Sequence, residues 1–176
     1  MEILVTSKLD EVLEFFLVHP TMEVHLRELS RKLKISFPWV RKLVNQLVKR
    51  DLLLSQKGRG LVMVRAKQES QQYKAAKRSY NLLSLYRCGL IEMLIDVYGH
   101  PEAVVLFGSY AQGEDTENSD IDLAIITKRK MNLNMQSFQK KLGRKIKIQE
   151  LEKAKITREF LTTLANGIVL AGYLEL

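Results

Sequence analysis

Residues 103–113 read AVVLFGSYAQG and residues 118–126 read NSDIDLAII, and the reading of these two stretches decides the fold. Val104 to Phe107 form a short apolar run of strand character that delivers Gly108 and Ser109 to the start of a brief helix. Free amides and the helix dipole favour a phosphate there. Gly108 allows close backbone approach, and the Ser109 hydroxyl supplies one more donor. In the second stretch Asp120 and Asp122 lie two apart, so strand geometry projects both carboxylates from one face while Ile121 and Leu123 pack on the other. Such a pair can hold Mg²⁺. Taken separately, each half also has a purely structural reading: a surface turn bracketed by Gly108 and Gly113, and solvated aspartates at a strand start.

Together, with ten residues between Ser109 and Asp120, the two halves resemble the signature of the DNA polymerase beta nucleotidyltransferase superfamily. Its pattern is Gly-Ser, a spacer, then Asp-x-Asp. The extended form is met by Gly108, Ser109, Ala111, Gly113, Ser119, Asp120, Asp122 and Leu123. The resemblance implies a minimal nucleotidyltransferase domain over residues 101–176, with the late helix and closing strand of the family in FLTTLANGIVL (160–170). It also implies transfer of a nucleoside monophosphate from a nucleoside triphosphate, ATP being the expected one, to an acceptor hydroxyl. Ser109 and the surrounding amides would hold the terminal phosphates, and Asp120 and Asp122 would coordinate Mg²⁺ in a two-metal site.

One position departs from the pattern. Active members carry a third carboxylate on a later strand, which here reads RKIKIQ (144–149), and the matching position is Lys147. An ammonium cannot ligate Mg²⁺, and beside two carboxylates it competes with the metal by pairing with them. Glu150 is the next carboxylate, but an offset of three points to the opposite strand face. Glu114, Asp115 and Glu117 lie in the intervening loop and are further candidates. Three readings therefore stay open: a transferase whose metal site is completed by a displaced carboxylate or the acceptor itself, a nucleotide-binding but catalytically degenerate domain that uses Lys147 as a phosphate clamp and regulates the DNA-binding half, and a non-enzymatic scaffold or transcription factor that keeps the fold.

Outward from this motif toward the N-terminus, apolar residues recur at helical spacing. Leu9, Val12, Leu13, Phe16 and Leu17 define a helix ending before Pro20; a second is expected over about 24–33, and a third from the N-cap Ser36, with Pro38 tolerated in its first turn. Burying Val40, Leu43, Val44, Leu47 and Val48 leaves Arg41, Lys42, Asn45, Gln46 and Lys49 on the opposite side of that third helix. These are side chains of the kind that read base edges and contact phosphates. Residues 52–64, LLLSQKGRGLVMV, read as two strands around a basic tip carrying Lys57 and Arg59. Three helices and a hairpin resemble the winged helix-turn-helix family over residues 8–67, which implies DNA binding through the third helix and the wing.

Charge distribution points the same way. Residues 1–67 hold 13 Lys/Arg against 7 Asp/Glu, whereas the whole chain of 176 residues has a net charge of +8. Phosphate contacts supply most non-specific nucleic-acid affinity, so this excess suits a polyanion. Residues 68–100 read as a helical connector of one broken or two consecutive helices, with Gly89 as the weak point. Cys88 is the single cysteine, which excludes an internal disulfide and a cysteine-based zinc site. No apolar run approaches the ~20 residues a bilayer crossing needs, and the first residues are acidic where a secretory signal would be basic. The expectation is a cytoplasmic, unprocessed chain with no membrane contact.

The fold class expected is thus an α/β (α+β) nucleotidyltransferase fold preceded by a winged helix-turn-helix domain and a helical connector, divided 1–67, 68–100 and 101–176. Expected partners are DNA, a nucleoside triphosphate and, because minimal nucleotidyltransferases often pair with HEPN proteins as antitoxins, a HEPN-type toxin. Homodimerisation is a further expectation, since winged modules frequently read two half-sites.

Overall fold

The computed structural model describes residues 7–58 and 61–175. Contacts divide the chain into two compact units, Met1–Lys77 and Arg78–Leu176. The division falls within the helix over Gln71–Arg87.

The first unit begins with α1 (Lys8–Val18), started by a reciprocal cap in which the Ser7 side chain accepts from the Asp10 amide and the Asp10 carboxylate accepts from the Ser7 amide. Val12, Phe16 and Leu17 bury its inner face. The second helix, α2 (Leu26–Leu33), starts two residues later than periodicity suggested. Glu23–His25 instead form a strand, β1, because Val24 turns into the core opposite Val64 while its neighbours point outward. A tight turn with Lys34 in the left-handed region leads to α3 (Phe37–Lys49). There Val40, Leu43, Val44 and Leu47 are buried. The hairpin strands β2 (Leu53–Gly58) and β3 (Leu61–Ala66) follow, and the antiparallel sheet runs in the order β1-β3-β2. Arg59 lies outside the described residues. The helix α4 (Gln71–Arg87) is anchored in this unit by Tyr73, whose hydroxyl donates to the Phe16 carbonyl at 2.8 Å.

The second unit takes the rest of α4, then α5 (Leu90–Tyr98), β4 (Ala103–Phe107), α6 (Gly108–Gln112), β5 (Ile121–Ile126), α7 (Gln136–Leu142), β6 (Ile146–Leu151), α8 (Arg158–Ala165) and β7 (Ile168–Gly172). The mixed sheet has the order β6-β5-β4-β7, with β5 and β6 parallel and the other pairs antiparallel. All five residues of β4 are buried, as a central strand covered on both faces requires. Alternation sorts the two faces. Val104, Leu106, Leu123 and Ile125 pack with Leu90, Ile91 and Leu94 of α5. Ala103, Val105, Phe107, Ala124 and Ile126 pack with Leu164 of α8. Phe107 meets Phe160 of α8 edge to face at 5.4 Å.

Among the described residues no helix is long and apolar enough to cross a membrane.

Candidate functional site

The site follows from strand register. Phe107 pairs with Asp122 across β4 and β5, so the bend at Gly108 leaves β4 directly beside that carboxylate. Gly108 has φ of +74°, and a Cβ placed on it would lie 2.9 Å from Asp122 Oδ2. Both the backbone conformation and the close approach demand glycine. Ser109 follows in the first turn of α6. Asp120 precedes β5 and Asp122 lies within it, both partly exposed, while Ile121 and Leu123 are buried on the other face. Gly108 and Asp122 thus lie against each other, with Asp120 two residues before Asp122 in the chain.

Lys147 completes the cluster from β6. It is the register partner of Asp122 in the parallel β5–β6 pair, and its Nζ lies 2.7 Å from Asp120 Oδ2. The bond to Asp120 and the two aspartate charges hold its ammonium above its usual range. Asp122 is pushed up by burial, opposed by the Lys147 charge and reinforced by Asp120. Two carboxylates thus share the site with one cation.

Neither Glu150 nor Asp115 takes the third position. Glu150 lies on the opposite face, where its Oε1 accepts from the Tyr98 hydroxyl and the Met131 amide, each at 2.6 Å. Asp115 is buried in a structural network: Arg144 Nη2 lies 3.3 Å from its Oδ2, and Asn81 donates at 2.6 Å to its Oδ1 and at 2.9 Å to the Tyr110 carbonyl. Among the described residues no group of three or more His, Cys, Asp or Glu side chains is placed to hold a metal. The donor set therefore does not fit a two-metal centre, because the position that should supply anionic oxygen supplies an ammonium already paired with Asp120. Beside the cluster, an open groove of about 760 Å³ is walled by Ser119, Asp120, Gln139 and Lys145 among others.

In the first unit, Arg41, Lys42, Asn45, Gln46 and Lys49 of α3 line one shared groove of about 470 Å³. Burial of the opposite stripe forces them together at the surface. Lys57 is exposed on β2 outside that groove. Sequence reasoning did not single out two exposed aromatic residues next to these cations. Trp39 lies with Lys42 Nζ 4.9 Å from its ring centroid, and Phe37 with the Arg27 guanidinium 5.9 Å from its own. The signal was available, since both fall outside the apolar stripe of α3.

A small mixed sheet with a glycine bend against a strand aspartate is compatible with a nucleotidyltransferase fold. Residues 90–172 match the family model for polymerase beta, nucleotidyltransferase, which supports placing this part of the chain in the nucleotidyltransferase superfamily. No curated protein matches the chain.

Proposed function

We propose that this protein is a DNA-binding regulator whose second unit binds a nucleoside triphosphate, ATP-like, without transferring its nucleotidyl group. The observation that carries the reading is the 2.7 Å pair between Lys147 and Asp120, at the strand position where a transferase needs a carboxylate. Nucleotidyl transfer relies on positioning and charge neutralisation by metal, and a resident ammonium displaces that function. The same ammonium, 63% exposed in its side chain, is free to swing from Asp120 to a phosphate. Gly108 lies against Asp122, the register partner of Lys147. In the first unit the three helices and hairpin fit a winged helix-turn-helix, with α3 as the element entering the major groove.

The test incubates wild type and Lys147→Asp with Mg²⁺ and ATP labelled at the α-phosphate, following nucleotide binding, label transfer and duplex affinity together. Binding without transfer by wild type, with a nucleotide-dependent change in duplex affinity, supports the proposal. Label transfer by wild type overturns it. A second reading, a working transferase, draws support from the close approach of Gly108 to Asp122 and from the family match. It requires transfer by wild type and loss of transfer in Asp122→Asn.

A further inference from the structure

Three large apolar side chains stand exposed around the start of α3: Phe37, Trp39 and Leu61, at 38%, 43% and 51% exposure. Phe37 and Leu61 share a small pocket of about 180 Å³ with Arg27. Trp39 is one turn from Lys42, whose ammonium covers its ring, and Lys42 lines the polar groove of α3. Apolar rings interleaved with cations at a helix start are costly to leave in water unless a ligand covers them. Arg27 and Lys42 lie over the rings, and Lys42 shares its groove with Arg41 and Lys49, so the occupant is polyanionic.

Resting on the reading of the first unit as a duplex-DNA binder, we infer that Phe37 and Trp39 contact thymine 5-methyl groups, making the ligand thymine-bearing DNA and not RNA. The first turn of a helix docked in the major groove faces base edges, and the methyl of thymine is the one apolar group displayed there. Guanine and adenine present donors and acceptors there, and cytosine adds only a C5–H, so neither purine nor cytosine offers a methyl to a ring. RNA carries uracil, which lacks the methyl, and its deep, narrow major groove excludes the helix. The aromatic pair therefore discriminates both sequence and sugar type. Arg27 and Lys42, held against the rings, reach the phosphates that flank such a base step.

The experiment uses the full chain and an A·T-rich duplex compared with the same duplex in which every thymine is replaced by deoxyuridine. Labelled-DNA anisotropy gives affinity. Quenching of Trp39, the single tryptophan of the chain, reports contact directly. The expected result is affinity lower by about fourfold for each lost methyl contact, with weaker tryptophan quenching. Phe37→Ala discriminates between the two duplexes by about fourfold less than wild type, and Trp39→Phe retains the preference. Equal binding of both duplexes by wild type overturns the inference while leaving DNA binding intact. Failure to bind either duplex overturns the underlying DNA-binding reading as well. Circular dichroism of Phe37→Ala separates loss of contact from loss of fold.

Discussion

Lys147 and Asp122 are register partners on neighbouring parallel strands, and the Lys147 ammonium turns to Asp120, two residues away, at 2.7 Å. One cation thereby answers both carboxylates of the motif. Without it, two anions would face each other across a partly desolvated bend, and an external metal ion would have to balance them. The chain carries its counter-ion within its own sheet.

Removing charge at Asp122 tests that balance through pH. Its pKa is raised in the fold, first by burial, so the native state binds this proton more tightly than the unfolded chain does. The stabilising contribution is present at acid pH and is lost as pH rises through the raised value. Asp122→Asn should therefore melt slightly higher than wild type near neutral pH in the presence of a chelator. The difference should close below about pH 4, where wild-type Asp122 is also neutral. Differential scanning calorimetry across that range is the measurement.

Gly108→Ala should destabilise the protein by about 1–2 kcal/mol from the left-handed backbone alone. The new methyl also meets Asp122 Oδ2 at 2.9 Å, so the carboxylate must shift. Denaturant unfolding gives the first effect, and a fall in nucleotide affinity beyond that seen with Ser109→Ala gives the second.

The Arg144–Asp115 pair lies in the interior, with 9% and 0% side-chain exposure. Arg144→Ala leaves the carboxylate with Asn81 but without this guanidinium, and the expected cost is about 3 kcal/mol. Unfolding of Arg144→Ala, compared with the double variant carrying Asp115→Asn, checks the assignment: the second change should recover part of the loss.

Arg41→Ala and Lys42→Ala should each weaken duplex binding across unrelated sequences and lower the salt slope by about one. Titrations at several salt concentrations decide it, and an unchanged slope removes these side chains from the phosphate-contacting set.

Much of this was legible in the residues themselves. The alternation that buries Ile121 and Leu123 fixes the opposite face for Asp122, which meets Gly108, and the same rule sends Glu150 to the other side of β6. The stripe of α3 likewise dictated which cations share a groove. Less legible was β1, since Val24 at the edge of a helical pattern becomes a strand residue only when β3 is there to pair with it. Asp115 was a candidate ligand on paper, and its burial against Arg144 and Asn81 depends on residues 29 and 34 positions away that no local pattern links to it. The exposure of Phe37 and Trp39 depends in the same way on how α2 and β3 pack beside α3.

Divalent-ion affinity tests the central claim most directly, because it needs no acceptor and no nucleotide. Mn²⁺ titration followed by electron paramagnetic resonance, on wild type and Lys147→Asp, compares an ammonium with a carboxylate at one position. The account predicts weak binding by wild type and at least about tenfold tighter binding by the variant, from replacing an adjacent positive charge with a negative one. Equal affinity in the two proteins would contradict it.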